Sequence, residues 1–135
     1  MKPSVRPLRW VLLLAVVAAV PACLAVAAGA GAGAVGAIAW TNRGASSTVS
    51  GTVDQAYRHS QAVFQDMGIT QTGQSSSDRG RKRTLKGTRG ERHITVDIKR
   101  ESGSTSEVEV YVQKNAVEWD KDMARDILTR IVQRS

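Results

Sequence analysis

The sequence predicts an α+β domain: a small antiparallel sheet of about four strands with two amphipathic helices on one face, in the order β-α-β-β-β-α, preceded by an apolar N-terminal segment. Three observations predict it. Apolar residues recur at helical spacing in two stretches, 53–67 and 119–133. Between them, two stretches alternate apolar and polar residues, as half-buried strands do. And the hydrophobic residues, 41% of 135, are unevenly spread, since no residue between Trp10 and Trp40 carries a charge although the chain's formal net charge is +7. Both helices and the alternating pair have one apolar face each, and packing the helices on one side of the sheet buries all of them.

The elements follow in order. Ser47-Thr48-Val49-Ser50 is β-prone and ends at Gly51. Val53, Ala56, Tyr57, Val63, Phe64 and Met67 then share a helical face, with Ser60 filling its gap. Thr52 with Gln55 three residues on forms a capping box, and Gly68 suits the left-handed residue just past the C-terminus. Ile69–Thr72 reads as a strand. The stretch 73–90 is rich in Gly, Ser, Arg and Lys, with a weak strand at Arg83-Thr84-Leu85-Lys86. Ile94, Val96 and Ile98 alternate with His93, Thr95, Asp97 and Lys99. After a turn at Glu101-Ser102-Gly103-Ser104, Val108, Val110 and Val112 alternate with Glu107, Glu109 and Tyr111. The closing helix carries Met123, Ile127, Leu128 and Ile131 on one face, with Asp120 and Asp122 at its start and Arg130 and Arg134 at its end, as the helix dipole favours. The domain so defined is 46–135.

The first 22 residues read as an export signal: Lys2, Arg6 and Arg9 precede an apolar run from Trp10 to Val20. Val20-Pro21-Ala22-Cys23 resembles a bacterial lipoprotein cleavage motif through Val20, Ala22 and Cys23; Pro21 departs from the small or hydroxylated residue usual there. The resemblance implies that Cys23, the only cysteine, becomes the first mature residue and carries lipid, whose chains anchor it at about 0.8 kcal/mol per buried CH₂. A plain transmembrane helix over 10–28 and cleavage after Ala27 are the alternatives. Residues 23–45 are then a lipidated cysteine and an Ala/Gly-rich tether. Gly29 and Gly33 form one G-x-x-x-G, so an oligomerising or spanning element over 24–40 is the alternative use of this tract.

Cys23 with its Ala/Gly tract, Val53-Asp54-Gln55-Ala56-Tyr57, Met67-Gly68-Ile69, Ile94-Thr95-Val96, Glu107-Val108-Glu109-Val110 and Ile127-Leu128-Thr129-Arg130-Ile131 together resemble a family of small uncharacterised bacterial lipoproteins, a domain of unknown function. The resemblance covers most of the mature chain. It implies a fold and an envelope location and supplies no catalytic residue; where the family tends to have Gly-Asp, this chain has Trp119-Asp120.

Nothing in the sequence assembles a catalytic or metal site. His59 and His93 lack a second ligand at helical or strand spacing, and the serine clusters 75–77 and 102–104 lack an elbow motif or a base. Glu107 and Glu109 share the wet face of a hairpin, where charge balance explains them. No phosphate-cradling glycine loop is present, no cofactor is implied, and the expectation is a protein that is not an enzyme. One stretch stands out. From Arg79 to Arg100, nine basic residues face two acidic ones, a net of +7, whereas the rest of the chain from Cys23 sums to −3. Arg79, Arg81, Lys82, Arg83, Lys86, Arg89 and Arg92 are therefore the candidate anionic-surface site. Export argues against nucleic acid, and base-stacking aromatics are missing. Anionic lipid headgroups or a cell-wall polymer fit a lipidated domain, and a solvated loop is the bland alternative. The expected protein is a membrane-anchored envelope lipoprotein, a non-catalytic binding or assembly accessory. Leu24 after Cys23 favours the periplasmic side of the outer membrane over an inner-membrane anchor.

Overall fold

The computed structural model describes residues 35–135; the stretch read as an export signal, with Val20, Pro21, Ala22 and Cys23, and the tract through residue 34 lie outside the described residues. The elements are β1 (Ile38–Trp40), β2 (Gly44–Ser50), α1 (Val53–Asp66), β3 (Thr70–Ser77), a short 3-10 turn (Asp78–Gly80), β4 (Lys82–Arg89), β5 (Arg92–Arg100), β6 (Thr105–Gln113) and α2 (Lys121–Gln133). They build one antiparallel sheet of strand order β1-β2-β6-β5-β4-β3. Among the described residues no helix is long and apolar enough to cross a membrane.

Alternation sets the layering. Ile94, Val96 and Ile98 of β5 are buried, as are Val108, Val110 and Val112 of β6. The register joins them in rows: Val110 pairs with Val96 and with Ala45, Val96 with Leu85, Val108 with Ile98 and Ser47. Successive side chains point to opposite faces, so these rows give the sheet one apolar face. Both helices cover it, α1 against β4, β5 and β6, α2 against β1, β2 and β6, and each other. Burying one aliphatic side chain of this size stabilises the fold by about 1.5–3 kcal/mol.

The helices fit as their sequences require. Val53, Ala56, Tyr57, Val63 and Phe64 of α1 are buried, and Ser60 in the same stripe is satisfied by donating from Oγ to the Ala56 carbonyl at 2.8 Å. The capping box forms: the Gln55 N–H donates to Thr52 Oγ1 at 3.3 Å and the Thr52 N–H to Gln55 Oε1 at 2.9 Å. Gly68 follows the helix at φ +64°. In α2, Ala124, Ile127, Leu128 and Ile131 are buried, with Met123 packed partly against the core. The Arg134 guanidinium reaches the Asp66 carboxylate and ties the two helix ends together.

The sheet has six strands where the sequence suggests about four, in the order β-β-α-β-β-β-β-α. The two added strands are β1 and β4, the latter expected only as a weak strand at Arg83–Lys86, and β3 runs further than the expected Ile69–Thr72. Strand β3 is a sheet edge and is exposed at seven of its eight residues, so no apolar alternation marks it; backbone pairing to β4 holds it in place. Strand β1 is three residues long and lies, with the start of β2, in the stretch read as tether; Ile38–Trp40 also closes the 24–40 segment.

Close packing requires glycine at two positions: Gly44, where a Cβ would overlap the Val110 carbonyl oxygen of the neighbouring strand, and Gly87. A Cβ at Gly87 would lie 2.7 Å from Ile69 Cγ2 and from Phe64 Cε2, and 2.9 Å from the Thr70 carbonyl, where α1 presses its end onto β4. At Gly73 the nearest atom would be Lys86 Cβ at 3.9 Å. We expect Gly87→Ala to lower unfolding free energy by about 1–3 kcal/mol in urea titration, as over-packing does, and Gly73→Ala to leave it unchanged. Equal midpoints for the two variants would show that the end of α1 yields freely.

Candidate anion-binding surface

Antiparallel turns alternate between the two ends of a sheet, and this divides the basic stretch. The β3–β4 and β5–β6 turns lie at one end. There Ser50, the last residue of β2, pairs with Thr105, the first of β6, so the start of α1 lies there too. The Gly51 N–H donates to the Ser104 carbonyl at 2.8 Å and fastens that junction. Arg79, Arg81 and Arg100 gather at this end. The β4–β5 turn carries Arg89 and Arg92 to the other, about 25 Å away for strands of this length. Lys82 and Lys86 project from the helix-free face of β4, and Lys82 pairs with Lys99 across β5. Seven residues clustered within 79–92 are therefore divided between the two ends and the two faces of the sheet.

Two of the seven are engaged internally. Arg83 is half-buried on the helix side, its guanidinium 4.4 Å above the Tyr57 ring and 3.0 Å from the Asp54 carboxylate, so it clamps the first turns of α1 onto β4. The Tyr57 hydroxyl in turn donates to Gln74 Oε1 on β3. Arg92 donates from Nε to Asp120 Oδ2 at 2.7 Å, while Asp120 Oδ1 accepts the Met123 N–H at 3.0 Å and caps α2. Burial pushes the Asp120 carboxyl up, but the Met123 amide and the Arg92 guanidinium outweigh it and hold the group below the ordinary aspartate range. Among the described residues, Arg79, Arg81, Lys82, Lys86 and Arg89 have no carboxylate within ion-pair distance. Arg100 joins them. It lies in the basic stretch, but its place beside Arg79 and Arg81 depends on the alternation of turns, which counting hairpins along the chain reveals.

The backbone presenting these arginines is unusual. Asp78 (φ +51°), Arg79 (φ +53°) and Gly80 (φ +83°) are consecutive left-handed residues. For a side-chain-bearing residue such as arginine this costs about 1–2 kcal/mol. The turn is held by the Arg81 N–H donating to the Asp78 carbonyl at 3.0 Å and by the Arg100 N–H donating to the Arg81 carbonyl at 2.8 Å.

The remaining singled-out residues lie apart from one another. His93 is exposed on β5, opposite Thr88 and Gln113. His59 is half-buried on α1, and its Nδ1 is buried without a hydrogen-bond partner among the described residues. Glu107 pairs across the sheet with Lys99. Glu109 sits opposite Asp97 and 4.0 Å from Arg43. Asp97 accepts Thr84 Oγ1 at 2.5 Å and the Tyr111 hydroxyl at 3.4 Å. Burial, then the Asp97 charge, pushes the Tyr111 phenol up against the opposing pull of Arg43. Arg43 lies 4.5 Å above the Tyr111 ring, and Trp119 packs edge-on against that tyrosine at 5.7 Å. Among the described residues no group of three or more His, Cys, Asp and Glu side chains is placed to hold a metal ion.

A family model described as a protein of unknown function (DUF3568) matches residues 7–134. No curated protein and no solved structure matches the chain.

The Asp120 site makes a pH prediction. Folding lowers this carboxyl's pKa, so as pH falls the unfolded chain takes up its proton first; the stabilisation is complete above the ordinary aspartate value and is lost as pH drops through the folded one. Asp120→Asn keeps the cap and loses the charge, and the stability gap between wild type and this variant is expected to be constant near neutrality and to close below about pH 4. A gap that persists at lower pH would assign the effect to packing. Asp120→Ala also loses the cap, a further ~1 kcal/mol. At the strained turn, Arg79→Gly is expected to hold or raise stability in urea by up to about 1 kcal/mol. A loss larger than that would show that the arginine supports the turn.

Proposed function

We propose, from the premise that the chain belongs to this family of unknown function, that it is a lipid-anchored protein of the cell envelope whose sheet domain is a non-catalytic binding or assembly accessory. The observation that carries the anchoring is the position of the chain's only thiol: Cys23 ends a basic start, an uncharged run and the Val20-Pro21-Ala22 motif. A thioether and an amide at that residue would add acyl chains to a chain terminus just before the Ala/Gly tract. Fifteen residues separate Cys23 from Ile38, a covalent limit of about 50 Å, so the domain could work at the bilayer surface or stand off from it.

The unpaired cations supply the binding half of the reading. Arginine and lysine beside an anionic leaflet each contribute up to about 1 kcal/mol at low screening. With five of the seven candidate side chains lacking a carboxylate partner among the described residues, and no aromatic stacking platform among those five, anionic lipid headgroups are the partner their chemistry favours over nucleic acid. Recognition and assembly are the activities that exposed cations of this kind suit.

Cys23→Ala is the test of anchoring. The variant is expected to lose incorporation of labelled palmitate and to accumulate as the unprocessed chain in cells. Normal processing and membrane retention of Cys23→Ala would overturn the lipid reading and leave the apolar segment itself as the anchor.

A further inference from the structure

We propose that the arginine-lined hollow at the turn end of the sheet is a binding site for a phosphate group. The proposal rests on the anionic-ligand reading above and narrows it from a surface to one site and one chemical class. The hollow, about 180 Å³, opens between the β3–β4 turn, which brings Arg79 and Arg81, the end of β5, which brings Arg100, and the start of α1 at Thr52–Asp54. Arg81 and Arg100 also line an adjoining, more open hollow of about 370 Å³, together with Glu101.

Three arginines line this hollow, with Asp54 in the same lining and Asp78 in the same turn as Arg79, and among the described residues none of the three forms an ion pair. The carboxylates nearest the site have other partners: Asp54 is paired with Arg83 at 3.0 Å, and Glu101 Oε2 accepts the Thr48 hydroxyl at 2.7 Å on the helix-free side of the sheet. Neither is within ion-pair distance of Arg79, Arg81 or Arg100 among the described residues. The hydrogen bond from Arg100 N–H to the Arg81 carbonyl at 2.8 Å fixes the two residues side by side, and Arg100 Nε donates to the Ser102 carbonyl at 3.2 Å, which fixes its guanidinium. Holding like charges together is unfavourable unless an anion sits between them. The left-handed Asp78-Arg79 turn adds strain to the same construction, and strain of this kind is retained where it positions functional groups.

The chemistry selects the anion. Guanidinium groups offer forked donors that match phosphate oxygens two at a time, and a phosphomonoester carries about −1.5 to −2 charges with three acceptor oxygens. Three arginines meet that charge and that number of acceptors more fully than they meet a single carboxylate. The hollow's size suits one phosphoryl group with its waters. The source is either free phosphate or a lipid headgroup ending in a phosphomonoester.

Calorimetric titration of the full-length chain in nonionic detergent, with inorganic phosphate at constant ionic strength, tests the site. Arg81→Gln and Arg100→Gln are each expected to weaken binding about tenfold or more, and Lys82→Gln with Lys86→Gln to leave it unchanged. Arg81→Lys, which keeps the charge and loses the fork, is expected to fall between; it also serves should Arg100→Gln fail to fold. Unchanged affinity in the folded arginine variants, or an equal loss in the lysine variant, overturns the proposal. Short-chain phosphatidic acid in the same titration identifies the source: tighter binding than inorganic phosphate, lost in the arginine variants, assigns the site to a headgroup, and weaker binding assigns it to free phosphate. Short-chain anionic lipid bound only through Lys82 and Lys86, with no phosphate binding, overturns this site and leaves the anionic-surface reading standing. No binding of any anion overturns both.

Discussion

The one-sided burial of the central strands is the constraint on which the rest depends. Four strands, β2, β6, β5 and β4, place Ala45, Val49, Val108, Val110, Val112, Ile94, Val96, Ile98 and Leu85 on a single face through period-two alternation and an unshifted register. A slip of one residue would turn that entire set to solvent, so register is strongly specified. The apolar face then needs a cover, and two helices of 14 and 13 residues with matching stripes supply it. Contacts at the margin lock the cover: Arg83 between Tyr57 and Asp54, Arg134 with Asp66, Asp120 with both Met123 and Arg92.

The same constraint decides where function can reside. With one face committed to the core, polar chemistry is left to the helix-free face and the two ends. Alternating turns bring the β3–β4 and β5–β6 loops together at one end, and the β2–α1 junction joins them because β2 finishes beside the start of β6. Arg81 and Arg100, 19 residues apart in sequence, thereby become neighbours joined by a backbone hydrogen bond, with Arg79 in the same loop as Arg81. A patch visible as a run of charge is thus reorganised by topology: Arg92 and Arg83 become part of the frame, and the others remain available.

Legibility in the sequence followed the strength of the apolar pattern. Both helices, the capping box at Thr52 and Gln55, the buried Ser60 and the alternation of β5 and β6 were readable because each is a local consequence of periodicity or of a short-range hydrogen bond. Strand β3 was underestimated because an edge strand with nearly every side chain in water has no contrast to display, and its extent is set by pairing with β4. Strand β1 was hidden in Ala/Gly-rich sequence that is equally compatible with a linker. At the candidate site, the basic residue types and their concentration were readable. Their division between ion pairs and free guanidiniums was not, since Arg83 finds Asp54 and Arg92 finds Asp120 across 29 and 28 residues of chain.

The distribution of cation types adds a final physical distinction. The helix-free face carries lysines, Lys82, Lys86 and Lys99, whereas the turn end carries arginines, Arg79, Arg81 and Arg100. Lysine is a strongly hydrated point charge on a flexible stem, well suited to keeping an exposed sheet face solvated and to long-range attraction. Arginine is less strongly hydrated and carries a rigid planar fork, so it gains more than lysine from a concave site where oxygen acceptors arrive in pairs. Long-range attraction is the same for both and falls away beyond a Debye length of about 8–10 Å in physiological salt. Guanidiniums in a hollow retain directional bonding after the general field has been screened. Under the binding proposed above, the lysines would draw an anionic surface near in any orientation, and the arginine end would select which anionic group is held.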